Sequence, residues 1–317
     1  MRLLTFDVGT GPRAALQESA DGVLIDVAAV ARLAGIDQLS SPFGYDAGAV
    51  LAAGEAALSR LSEVASTEIA RLSDQGAVHR QSEVRLHAPV LKPEKFICVG
   101  LNYHDHAAEA GKEIPIEPMF FGKFANSLIG HGATIVPPSI TEQVDYEAEL
   151  AVVIGKAGKN IPEGRALEHV AGVMSLNDVS ARDLQLANPL WTGGKAIDTF
   201  APAGPALVLL DEIPDVQALS VIGRVNSTVV QNASTASMIF SVAELIAYLS
   251  RIMTLIPGDI IATGTPAGVA HAHGPMTFLR AGDVVEIEIG GVGLLSNPVG
   301  SAEDTTSYGP AVAEAVS

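Results

Sequence analysis

From Phe96 onward the chain is cut by glycine and proline into short apolar runs, and this punctuation constrains its fold more than any other feature. Strand candidates fall at Glu147–Ile154, Val170–Leu176, Ala206–Leu210, Ser220–Val225, Asp259–Thr263 and Val284–Ile289. Only one long amphipathic helix interrupts them, from about Val242 to Leu255. There Val242, Leu245, Ile246, Leu249 and Met253 share one face at helical spacing. Many short strands with few helices point to an α+β, β-rich fold and away from a doubly wound sheet.

The first 90 residues are patterned differently. Strand-like pieces at Arg2–Phe6 and Val23–Asp26 precede Ala-rich stretches of helical period, Val50–Arg60 and Glu63–Asp74. Pro89 and Pro93 break regular structure before FICVG opens a new apolar strand. The expected organisation is a small α/β domain over 1–90, serving as structural support or a dimer contact, a β-rich domain over 91–300 and a tail over 301–317. That tail is rich in Ala, Ser and Glu and has no periodicity.

Acidic residues outnumber Lys and Arg by 36 to 19, a net charge of -17, which repels phosphate backbones and argues against nucleic acid as a partner. An anionic substrate then needs a metal ion or clustered cations to reverse the field locally. A single cysteine excludes an intrachain disulfide, and Cys98, inside FICVG, reads as a buried, inert thiol. No run approaches the roughly 18 apolar residues of a membrane span. The opening MRLLTFDVGTG is interrupted by Asp7 and reads as a strand, not a signal peptide, so a cytoplasmic protein is expected.

Four segments carry candidate chemistry. In VDYEAELAVVIG, strand alternation points Asp145, Glu147 and Glu149 one way, with Glu147 and Glu149 about 7 Å apart along the strand. On an otherwise buried strand such acids repel and lose hydration, costs that a hard cation held by oxygen ligands relieves. A solvated face of alternating charge is the other reading. Asp178 ends the apolar run HVAGVMSLND, as a metal ligand or a helix cap. A helical continuation through NDVSARDLQ would align it with Arg182 and Gln185. Lys195 follows two glycines in WTGGKAIDTF, as a carboxylate anchor or a snorkelling side chain.

In LNYHDHAAEAG, a short helix ended by Gly111 makes His106 and Glu109 neighbours on one face. A carboxylate beside an imidazole fixes its tautomer and raises its basicity, which suits water activation. A surface His–Glu pair is the plainer alternative, and His104 would take the place of His106 if the segment were not helical. Gly100 and Gly111 would let the piece move as a lid. TGTPAG matches no phosphate-loop pattern and reads as a turn presenting N–H groups and the Thr265 hydroxyl to a carboxylate. No G-x-S-x-G is present, so a serine hydrolase is discounted.

Taken in order, FICVGLNYHDHAAE, DYEAELAVVIGK, NDVSARDLQ, GKAIDTFAPAGP and GDIIATGTPAGV resemble the fumarylacetoacetate hydrolase family over about Phe96 to Val269. The resemblance implies a mixed β-sandwich roll around an Mg²⁺ site, with Mn²⁺ as the alternative ion. It places metal ligands at Glu147, Glu149 and Asp178, and a catalytic His106–Glu109 dyad on a closing lid. Lys195 would act in catalysis, and Arg182, Gln185 and Thr265 would bind substrate. The implied activity is metal-dependent C–C hydrolysis of a small 2,4-dioxo acid, with decarboxylation of an oxaloacetate-like acid or diene-dioate isomerisation on the same site as alternatives. A homodimer is likewise implied. The reading from another class is a noncatalytic metal-binding protein using the acids structurally.

Overall fold

A computed structural model describes residues 1–17, 22–40, 45–274 and 277–302, so the expected tail lies outside the described residues from 303 onward. The N-terminal strands are β1 (Arg2–Asp7), β2 (Arg13–Gln17), β3 (Val23–Asp26) and β4 (Val78–Arg80). They are followed by β5 (Phe96–Gly100), β6 (Met119–Lys123), β7 (Ala148–Ile154), β8 (Val170–Asn177) and β9 (Ala201–Leu209). The last five are β10 (Ser220–Val225), β11 (Thr228–Ser234), β12 (Ile260–Ala262), β13 (Val284–Ile289) and β14 (Gly293–Pro298).

A large mixed sheet runs β4-β3-β2-β1-β9-β8-β7-β12-β5-β6, and a second, four-stranded sheet runs β11-β10-β13-β14. Pairing is mostly antiparallel, with β12 and β5 parallel. Neither sheet closes into a barrel, and the architecture is the expected β-rich α+β type. The junction near residue 90 does not interrupt the main sheet. β1 pairs with β9 through Arg2↔Val208 and Leu3↔Leu207, so the N-terminal strands extend it.

Strand β7 explains how the site is held. Leu150, Val152 and Ile154 enter one core, together with Leu245 and Leu249 of the Val242–Ile252 helix and Ile287 of the second sheet. Ala151 and Val153 enter the opposite core with Leu3, Leu61 and Leu207. Both faces are dry, so the strand reads as a continuous apolar run. Each such aliphatic side chain contributes roughly 1.5–3 kcal/mol on burial. The Val242–Ile252 helix begins with a capping box between Ser241 and Glu244 and ends at Met253, whose backbone is extended.

Strand β9 is longer than its apolar run suggested, because Pro202 and Pro205 disguise its first half. The ladder with β8 shifts register between Val173 and Ser175, opposite Pro205, which has no N–H to donate. Among the described residues no helix is long and apolar enough to cross a membrane.

Candidate active site

Glu149 lies in β7, and Glu147 just before it sits on the same side, the face shared with Ala151 and Val153. Asp178 joins them from the end of β8, because Asp178 N–H donates to Glu147 O at 3.0 Å. It is not on a helix shared with Arg182, as the sequence suggested. Ser180 and Ala181 pair with Asp145 and Val144, which keeps the chain extended until the Arg182–Leu186 helix begins. Carboxylate oxygens of Glu147, Glu149 and Asp178 lie within 4.8 Å of one another, and all three side chains are buried.

Cations surround two of the three acids. Lys195 Nζ sits 2.7 Å from Glu147 Oε2 and 2.9 Å from Asp178 Oδ2, and at 2 % exposure it does not snorkel. Its helix, Thr192–Lys195, approaches so closely that a Cβ on Gly194 would stand 2.5 Å from Ala181 O and Gln185 N. Lys123, at the end of β6, donates to Asp178 Oδ1 at 2.5 Å and to Val179 O at 3.0 Å. Arg182 Nη2 pairs with Glu147 Oε1 at 2.7 Å, Nε with Asp145 Oδ2 at 2.8 Å, and Nη1 donates to Gln185 Oε1 at 2.9 Å.

Burial acts to raise the Glu147 carboxyl, but Lys195 and Arg182 outweigh it and bring its pKa down to about 2. Glu149 has no such partner. It accepts Gly264 N–H at 2.9 Å, and among the described residues no Lys or Arg pairs with it. Burial, then the charges of Asp178 and Glu147, push its pKa well above the carboxylate range. A buried set of oxygen donors with one uncompensated carboxyl group fits a hard divalent cation.

The His104–Glu109 helix carries the second group. His106 Nδ1 lies 3.2 Å from Glu109 Oε2, and Glu109 Oε1 accepts Gly268 N–H at 2.9 Å. His104 is exposed on the first turn, so the helix presents His106, not His104, to Glu109. Gly268 has φ +105°, and a Cβ there would stand 2.1 Å from Val230 O, so the turn requires glycine. Thr265 also borders the site, but its hydroxyl donates to Ala148 O at 3.0 Å and accepts from Gln231 Nε2 at 2.8 Å.

These groups meet in one cleft of about 470 Å³, lined by His106, Glu109, Glu147, Glu149, Arg182, Gln185, Lys195 and Thr265. Asp178 lies behind the lining at 1 % exposure. Trp191 and Phe121 form an aromatic wall, their rings edge to face at 5.6 Å, with Lys195 Nζ 5.2 Å from the Phe121 centroid. Cys98 is fully buried and burial pushes its thiol pKa up, in keeping with an inert role.

Residues 95–300 match the family described as fumarylacetoacetate (FAA) hydrolase C-terminal. The chain belongs to the fumarylacetoacetate hydrolase family. It is 49% identical over 221 residues to an oxaloacetate tautomerase (fahd2, mitochondrial) of Xenopus laevis, covering 69% of each chain. A putative HpcE protein from Mycobacterium smegmatis has a similar structure, with a TM-score of 0.80 at 37% identity, covering 96% of this chain and 100% of that one. A maleylpyruvate hydrolase from Sphingobium sp. SYK-6, in complex with manganese (II) ion and pyruvate, gives a TM-score of 0.76 at 28% identity, with the same coverage. This family member is an enzyme, and its acidic triad is a metal-site candidate.

Sequence reasoning missed Lys123, which lies in MFFGK and looks like part of an apolar strand. It saw Asp145 as one of three aligned acids but not its second task. Asp145 accepts N–H groups of Ala270 and His271 at 2.7 and 3.0 Å, pinning that segment beside the cleft. No local signal announces either contact.

Proposed function

We propose that this chain interconverts keto and enol forms of a small 2-oxo carboxylate at a divalent metal site, with an oxaloacetate-like acid as substrate. The observation that carries this reading is the meeting, in one cleft, of an all-carboxylate metal set with a carboxylate-oriented imidazole. The similarity to a protein named oxaloacetate tautomerase narrows the substrate class. Glu147, Glu149 and Asp178 would hold Mg²⁺ or Mn²⁺, which supplies Lewis-acid stabilisation of an enolate.

The chain's own residues do the rest. Glu109 accepts a hydrogen bond from His106 Nδ1–H, which leaves Nε2 as the atom that takes a proton from the carbon beside the 2-oxo group and delivers it to the enolate oxygen, and that carries it back to carbon in the reverse direction. Lys195 is held in its charged form: burial opposes the charge, but Asp178 and Glu147 together outweigh it. Lys195 and Arg182 then set positive charge beside the substrate's oxygens, with Gln185 holding the guanidinium in place. Thr265 borders the substrate through the turn it fixes. Trp191 and Phe121 exclude water from the enolate.

C–C hydrolysis of a 2,4-dioxo acid is the second reading. The same dyad suits water activation, and a structurally similar protein is a maleylpyruvate hydrolase. Both readings take the enzyme as cytoplasmic and as a homodimer; the apolar side chains exposed on the edge strand β6 and just after it, Met119, Phe120 and Phe124, support the second.

The test is a metal-dependence assay on EDTA-stripped protein. Enol-oxaloacetate decay, pyruvate, CO₂ and released acid are followed with oxaloacetate and, separately, a short acylpyruvate. Metal-restored enol–keto conversion is expected. Metal-restored acylpyruvate cleavage alone would replace it with the hydrolytic reading, and metal-independent turnover would overturn both.

A further inference from the structure

The dyad carboxylate has a third neighbour, just past the TGTPAG turn. His273 ends the short Ala270–His273 helix, and its Nε2 stands 3.7 Å from Glu109 Oε1. The carboxylate therefore sits between two imidazoles. His106, at 13 % side-chain exposure, is on the cleft side, and His273, at 56 %, is open to solvent. Glu109 itself is 16 % exposed.

The two sides of this contact are held very differently. The segment bearing His273 is fixed from several directions. Tyr146 Oη donates to Gly268 O at 3.1 Å, Asp145 accepts from Ala270 and His271, and Thr277 Oγ1 donates to Ala270 O at 2.8 Å. The same Asp145 accepts from Arg182, which also pairs with Glu147, so this segment is tied to the acid cluster. By contrast, the helix bearing Glu109 spans six residues and ends in a left-handed Gly111, φ +62°. A helix that short does not hold itself in water and takes its place from what it touches.

We propose that His273 is a positioning residue that latches the His106–Glu109 helix to the fixed 264–273 segment. With Nε2 3.7 Å from Oε1, the imidazole pairs with the carboxylate when it carries a proton, adding to the Gly268 N–H and leaving Oε2 aimed at His106 Nδ1. An ion pair this exposed acts modestly, so its effect is a bias on lid position, not the chemistry itself.

The inference rests on the dyad assigned under the proposed function, and its test separates the two. Deuterium exchange of amides 104–111 is measured in metal-loaded wild type and His273→Ala, together with kcat and KM. His273→Ala is expected to exchange at least twice as fast there and to lose about two- to fivefold in kcat, with KM within about twofold. His273→Arg, which restores a cation, should recover most of both. If His273→Ala does not fold, His273→Gln replaces it and should lie between wild type and the loss expected of the alanine. Wild-type exchange in the variant, or a kcat loss that His273→Arg leaves unchanged, overturns the latch. Exchange decides the matter even where no 2-oxo acid is turned over, a result that would count against the proposed function alone.

Discussion

On the floor of the cleft, Asp145, Glu147, Glu149 and Asp178 are buried among Lys123, Arg182 and Lys195 on strand ends and short helices braced by the main sheet. On its rim, His106, Glu109 and His273 touch across two short helices and remain partly open to water. Floor charges cannot be hydrated if a partner leaves, so each is held by the loss that its departure would cause. Rim groups can be hydrated, so they are held weakly and can reposition. The difference assigns ion binding to the rigid part and proton movement to the adjustable part. It also marks Glu149 as the floor group with which, among the described residues, no Lys or Arg pairs.

The sharpest way to break this contrast is to remove one group from each side. Asp178→Ala deletes a floor carboxylate, strands Lys123 and leaves Lys195 with Glu147 alone. It is expected to cost about 3–5 kcal/mol in stability and to abolish Mn²⁺ binding by calorimetry. His106→Ala should lower turnover roughly 10²- to 10⁴-fold while leaving Mn²⁺ affinity unchanged and stability within about 1 kcal/mol. Equal losses of Mn²⁺ affinity in the two variants would dissolve the distinction between floor and rim.

Lys123→Met probes the floor without touching a carboxylate. Burial acts to lower the Lys123 pKa, and Asp178 opposes it without fully cancelling the effect. Its ammonium is enclosed, with Asp178 and Val179 O as its hydrogen-bond partners among the described residues. Loss of this partner should destabilise the metal-free protein by about 3 kcal/mol, read as a lowered thermal midpoint. Because Asp178 loses the neighbour that orients it, Mn²⁺ affinity should fall as well. An unchanged midpoint would mean that Lys195 alone supports Asp178.

How much of this was legible in sequence follows the distance over which each feature is encoded. Glu147 and Glu149 share a face because strand period is local, and His106 meets Glu109 because helical spacing is local. The face of β7 was legible for the same reason. Asp178 was recognised as a candidate but was set on the wrong element, since the Ser180–Ala181 pairing with Val144–Asp145 joins segments more than thirty residues apart. Lys123, the Asp145 link to Ala270 and the His273 contact are nonlocal and leave no periodic trace. Family resemblance supplied the ordered set of segments. It did not supply the joining of β1 to β9, which only the sheet topology reveals.

The effect that is smallest per pH unit tests the unbalanced carboxyl of the floor. Glu149 titrates in the folded, metal-free protein well above its ordinary value of 4.5, with burial as the leading cause. Between 4.5 and the raised value, the folded state holds a proton that the unfolded state has released. Stability therefore falls as pH rises through that window, by up to about 1.4 kcal/mol per pH unit for one proton. Glu149→Gln removes this contribution, so the metal-free variant should lose stability less steeply from pH 5 to 8 than the metal-free wild type. Mn²⁺ should reverse the behaviour in the wild type alone, because a bound cation favours the ionised carboxylate and its affinity then tightens with pH. Parallel stability profiles for the two metal-free proteins would show that Glu149 is already ionised without metal. The floor would then have to balance its charge through a group other than the three cations seen here.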